Sequence, residues 1–478
     1  KIIKLIDMKL NSKPTPIVLV IIFIMISTFV RADIKLPSIF NDHMVLQQHT
    51  ETSIWGKASL NEKVQVKCSW EDRTYITNSD KNGDWAIKIK TPTAGGPYTI
   101  TISDGKEFQL NDILIGEVWL CSGQSNMWMH MLGYRNQPVL GSNHAIATSQ
   151  NQYIRLFTVE KDKSLTPKDD FNGEWLECSP ENVAVFSATA YYFAKLLQKS
   201  LNVPIGVISS SWGGTRIEPW ISENGIKIFD WIQRPENYPK EFTQQAPTVL
   251  YNAMIKPMIP YAIKGAIWYQ GESNKEEPDK YLKLLPGLVD SWRKAWNIGD
   301  FPFYYAQIAP FAYRGGINSA FLRESQLNAE KALPNMGMAT LMDAGEENNI
   351  HPANKELAGE RLAFLALNQT YGISGISSSG PTLKGMVVEG KLIHLTFNNA
   401  EKGLTSFGKE LSHFTVANEN RKFQPAKAYI TNKGITLVVP DMDKPVAVRY
   451  AFDDFVVGDL YNTAGLPASS FRTDDWAD

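Results

Sequence analysis

The stretch Ile113-Leu114-Ile115-Gly116-Glu117-Val118-Trp119-Leu120 is largely apolar and reads as a buried strand. It stops in small and polar residues, Cys121-Ser122-Gly123-Gln124-Ser125-Asn126-Met127, centred on Ser125. In open α/β sheets, ligands bind beyond the carboxyl ends of the strands. A serine placed there exposes its hydroxyl, and the backbone N–H groups around it point into the same space. Ser125 is thus a candidate nucleophile, provided the rest of the chain supplies a base and an oxyanion site.

The region that follows has the alternation such a sheet requires. Ser187–Ser200 has helical spacing and stops at Asn202 and Pro204. Ile205–Ile208 and Ile263–Tyr269 read as strands and Tyr281–Trp296 as an amphipathic helix, with Pro286 inside its pattern. Phe301–Gln307 and Met338–Met342 read as strands, Arg323–Leu333 and Pro352–Leu367 as helices. Strand and helix in alternation predict a doubly wound parallel sheet over residues 112–370. On either side the pattern has period two with frequent breakers. Residues 33–111 read as an N-terminal β-sandwich, and 371–478 as a C-terminal β-rich module with a hairpin turning at Glu389-Gly390.

Residues 1–32 read as upstream residues and a secretory signal. Lys9 and Lys13 precede the apolar Ile17–Val30, and Val30-Arg31-Ala32 suits a signal peptidase. The expectation is a secreted or periplasmic protein with no stable membrane insertion after cleavage. Net charge is −2 with no basic block, which argues against a nucleic-acid partner. The three cysteines, Cys68, Cys121 and Cys178, have no metal-ligand spacing and cannot all pair.

Four strand ends carry polar clusters. A serine hydroxyl needs a base to take its proton. Of the seven histidines, His351 alone follows a late strand of the αβ region, with Pro352 expected to open the next helix. His130 and His144 lie close to Ser125 in sequence and are the runners-up. The oxyanion of a tetrahedral intermediate needs fixed donors. The N–H of Ser125, the N–H of Gly213 or Gly214, and a side-chain amide from Gln270 or Asn274 are the candidates.

On these residues the chain resembles the SGNH (GDSL-like) hydrolases, and within them the sialate O-acetylesterase family and related carbohydrate acetylesterases. The matching stretches are Gly116–Trp119 through Gly123-Gln124-Ser125-Asn126-Met127, Ser211–Trp220, and Trp268–Asn274. Leu322–Gln326, Ile350-His351-Pro352 with Lys355, Gly465-Leu466-Pro467 and Phe471-Arg472-Thr473 also match. The resemblance implies an SGNH-type sheet flanked by all-β modules, with Ser125 as nucleophile and His351 as base. It also implies oxyanion donors from Gly213-Gly214 and from Gln270, Glu272 or Asn274. Many relatives carry Asp two residues before the histidine, where this chain has Asn349. Asn349, Asp343, Glu346 or Glu347 are left to orient His351, or the site works as a Ser–His dyad. Arg216 is a candidate to grip an acidic sugar, with a structural pairing to Glu218 as the alternative.

The expected activity is a serine esterase that removes O-acetyl groups from a carbohydrate, foremost O-acetylated sialic acid. Such a reaction calls for no metal or organic cofactor. The alternatives are an esterase for plant polysaccharide such as acetylated xylan, and a non-catalytic glycan-binding relative. The presence of both Ser125 and His351 argues against the last.

Overall fold

Glu107–Gly123 forms one strand of 17 residues, here β1, and every residue from Ile113 onward is buried. The computed structural model describes residues 34–233 and 242–476. The expected signal within residues 1–32 therefore lies outside the described residues. Among the described residues no helix is long and apolar enough to cross a membrane.

The second half of β1 is the middle of the central sheet. The other strands are β2 (Asn151–Thr158), β3 (Trp175–Cys178), β4 (Ile205–Ser211), β5 (Gly265–Tyr269), β6 (Phe303–Ala306) and β7 (Met336–Ala339). Their order is β7-β6-β5-β1-β4-β2-β3. All neighbours run parallel except β3, which pairs antiparallel with β2 at the edge. This is the expected doubly wound sheet. Strands β2 and β3 were not anticipated, because Arg155 and other polar residues break their apolar pattern. The Arg155 guanidinium is buried and donates to Asp112 at 2.7 Å.

Period two along β1 sends alternate residues to opposite faces. Val118 and Leu120 join one core with Trp220, Trp268 and Trp292; Trp119 and Cys121 join the other with Tyr191, Phe193 and Leu362. Helices cover both faces: α1 (Ala188–Leu201), α2 (Pro278–Trp296), α3 (Ala320–Ala329) and α4 (Lys355–Leu365). The Ser187 hydroxyl caps α1 by accepting from the Ala190 N–H, and Asn202 ends it in the left-handed conformation. Helix α4 begins at Lys355 behind the Asn354 cap, not at Pro352. His351 therefore sits in a loop rather than at a helix start.

The first half of β1 belongs to the N-terminal β-region. It pairs antiparallel with Gly95–Ser103 and, at Leu114–Gly116, parallel with Val45–Gln47. The expected boundary at 111/112 falls inside this strand. Beyond residue 380 two four-stranded antiparallel sheets form around a third core that includes Met342. Arg323 of α3 ties them to the body: its buried guanidinium donates to the carbonyls of Asp453 and Asp454 and to the Ser470 hydroxyl.

Gly123 ends β1 at φ +140°, and a Cβ there would lie 2.2 Å from the Tyr269 carbonyl oxygen. Gly123→Ala should therefore cost at least about 2 kcal/mol of stability, from strain and backbone collision. A urea midpoint equal to wild type would contradict this.

Candidate active site

The register aligns Gly123, Ser211 and Tyr269 at the carboxyl edge, so the loops after β1, β4 and β5 meet. Ser125 opens a single helical turn, Ser125–Trp128. As the first residue of that turn, its N–H has no acceptor within the helix. Gly213, in the loop after β4, lies against it: a Cβ on Gly213 would come within 3.3 Å of the Ser125 Cβ. The Trp212 N–H donates to the Gly123 carbonyl at 3.1 Å, fixing this approach. Gln124 fastens the third loop, its side-chain oxygen accepting from the Ser273 N–H at 3.3 Å.

Asn126 holds the loop that carries His351. Its Nδ2 donates to Glu272 Oε1 at 2.6 Å and to the Ile350 carbonyl at 3.2 Å; its Oδ1 accepts from Lys355 Nζ at 2.5 Å. Ser125 and His351 thus each neighbour one end of the Asn126–Ile350 hydrogen bond. Burial raises the Glu272 pKa and lowers that of Lys355 to about 7, with the Glu272 and Glu346 carboxylates opposing the fall.

Tyr134 adds a second link. Its hydroxyl donates to the Ser125 carbonyl at 3.0 Å, and its ring packs edge-on against the His351 imidazole at 5.3 Å between centroids. His351 Nδ1 lies 2.6 Å from Gln137 Oε1. An amide oxygen can only accept, so Nδ1 carries the hydrogen and Nε2 keeps its lone pair. Burial, and next the Lys355 ammonium, lower the His351 pKa to about 4. The imidazole is held neutral across the physiological range.

Among the described residues, none of the four residues expected to orient the ring holds a hydrogen bond to it. The Asn349 Oδ1 accepts from the His351 backbone N–H at 3.1 Å and does not touch the ring. Asp343 makes a two-pronged pair with Arg361 at 2.6 and 2.7 Å. Glu347 is exposed. Glu346 braces the loop, its carboxylate accepting from Asn349 Nδ2 and the Ala353 N–H. Gln137 had no signal in the sequence, because it stands in an irregular turn closed by paired backbone bonds between Tyr134 and Gln137.

The side-chain amides proposed for the oxyanion are also committed. Gln270 and Asn274 are fully buried. Gln270 Nε2 donates to the Thr215 carbonyl and to Asn274 Oδ1. Asn274 Oδ1 also accepts from the Ile217 N–H, and its Nδ2 donates to Glu218. Both lock the loop after β5 onto the segment after Gly214. Gly214 itself is exposed at φ +73°, and its carbonyl accepts from Gln245. Of these four, Gly213 lies against Ser125, whereas a Cβ on Gly214 would meet nothing within 4 Å. Arg216 is paired with both Glu218 and Glu277. Of the runner-up bases, His144 is exposed, and His130 packs beside Trp128 at 5.0 Å between ring centroids.

Residues 115–367 match the family described as carbohydrate esterase, sialic acid-specific acetylesterase. The crystal structure of a carbohydrate acetylesterase from Xanthomonas citri matches with a TM-score of 0.84 and 33% identity, over 93% of this chain and 100% of that one. The sialate O-acetylesterase of Rattus norvegicus is 26% identical, covering 96% of this chain and 98% of its own. That of Homo sapiens is 27% identical over 91% and 92%. Fold and likeness together define a carboxylic ester hydrolase. The chain belongs to the sialic acid-specific acetylesterase family of carbohydrate esterases.

Proposed function

We propose that this esterase removes O-acetyl groups from a carbohydrate, foremost O-acetylated sialic acid, through an acetyl-Ser125 intermediate. The observation that carries the reading is the Gln137–His351 bond beside the serine turn, which leaves Nε2 free to act as a base. Ser125 Oγ attacks the acetyl carbonyl carbon as its proton passes to His351 Nε2. The oxyanion is met by the N–H groups of Ser125 and Gly213. The carbonyl re-forms, the bond to the sugar oxygen breaks, and Nε2 returns the proton to that oxygen. Water then repeats the sequence on the acetyl-enzyme and releases acetate. The likeness to the rat and human sialate O-acetylesterases supports sialic acid as the sugar.

A neutral acetylated polysaccharide such as xylan is the second reading. It is favoured by the pairing of Arg216 with two carboxylates, which leaves that guanidinium poorly placed to receive a third. Acetate release from O-acetylated sialic acid and from acetylated xylan, measured side by side, tests the choice. A kcat/KM at least about tenfold higher on the sialate is expected; faster release from xylan would overturn it. The pattern of the first 32 residues supports export, to be checked by the amino-terminal sequence of the mature protein.

A further inference from the structure

Trp128 closes the helical turn that Ser125 opens, and residues three apart lie on one face of a helix. Over its ring, 3.8 Å from the centroid, stands Lys161 Nζ, carried by the segment that follows β2. The side chain is exposed. Its sequence neighbours are occupied: Glu160 accepts from Asn172, and Asp162 pairs with Lys168. Among the described residues no carboxylate pairs with Lys161. Of the other cations around the site, Arg135 beside Tyr134 is exposed, while three more are neutralised or enclosed. Arg216 meets two glutamates, Lys275 meets Glu276, and Lys355 is buried on Asn126.

A π face holds an ammonium in place without cancelling its charge, whereas a carboxylate partner would cancel it. Lys161 is therefore a fixed positive charge, presented to solvent on the face of the turn that carries the nucleophile. We infer that Lys161, positioned by Trp128, is the subsite that receives the carboxylate of an acidic sugar bearing the acetyl ester. The inference rests on the esterase reading above and deepens it by assigning the residue that separates acidic from neutral sugars. The shared chemistry is a sugar carboxylate, which either a sialic acid or a uronic acid provides.

The experiment compares wild type, Lys161→Met and Lys161→Arg on four substrates: O-acetylated sialic acid, its methyl ester, O-acetylated glucuronic acid and an aryl acetate. Wild type should prefer a free acid to the neutral ester by about tenfold or more. Lys161→Met should erase that preference through KM while leaving aryl acetate hydrolysis within about twofold. Lys161→Arg should keep most of it. If the preference appears on glucuronate alone and depends on Lys161, the subsite stands and sialic acid falls as the sugar. If wild type prefers the acids and Lys161→Met prefers them equally, the subsite is overturned. It is overturned too if wild type hydrolyses aryl acetate but shows no preference for either acid.

Discussion

Ser125→Ala is expected to lower kcat on an aryl acetate by at least about 10⁴-fold, with an unchanged unfolding midpoint. Among the described residues the Ser125 hydroxyl holds no hydrogen bond within the protein, so its removal leaves no buried group unpaired. The turn itself is fixed by other atoms: the Gln124 N–H on the Tyr269 carbonyl, and Asn126 on Glu272, Ile350 and Lys355. Residual hydrolysis would come from the backbone donors alone, which lower the barrier for water but supply no nucleophile. Rapid-quench mass spectrometry should find an acetyl adduct on the wild-type peptide that contains Ser125, and none on the variant. A variant within tenfold of wild type would remove Ser125 from the chemistry.

Gln137→Glu is expected to reshape the pH profile. The wild-type imidazole has a neutral amide on Nδ1 and a pKa lowered to about 4, by burial first and by Lys355 second. A histidine base works only when neutral, so the acid limb of kcat/KM follows its pKa. Wild-type kcat/KM should stay flat from neutrality down to about pH 5 and fall below that. A carboxylate at position 137 stabilises the imidazolium, so the pKa rises and the limb moves up by at least about two units. At pH 5 the variant loses activity relative to wild type. Near pH 8, where both imidazoles are neutral, it equals or exceeds wild type. Gln137→Ala should cost about 10–100-fold at every pH without moving the limb upward, since the ring loses its tautomeric anchor and gains no charge. A wild-type limb near 6.5 that ignores Gln137→Glu would sink this assignment.

Backbone position is what the sequence makes most legible. Ser125 and Gly213 follow strands with largely apolar runs, and a parallel sheet brings such ends to one edge whatever their side chains do. Side-chain partners were harder to read. An amide in a strand-end loop can face a ligand or tie down backbone, and Gln270 and Asn274 do the second. Asp343 stands near His351 in sequence, but Arg361 one helix later takes both its oxygens. Gln137 was invisible because nothing in Tyr134-Arg135-Asn136-Gln137 distinguishes a turn from a ring partner. Strands β2 and β3 were missed because a buried arginine looks like a surface one until its partner, Asp112, is in view.

Strand β1 has a consequence for anyone who would cut this protein. Its first half is stitched into the amino-terminal sheet, and its second half delivers the serine. One apolar core spans both, from Val64 and Ile100 to Trp268 and Trp292. The amino-terminal region is therefore not a detachable appendage. A chimera joined at residue 111 would splice through hydrogen-bonded backbone, and the graft would inherit a frayed strand beneath Ser125. A junction that spares the enzyme has to keep the whole of 107–123 and the partner strands that pair with it.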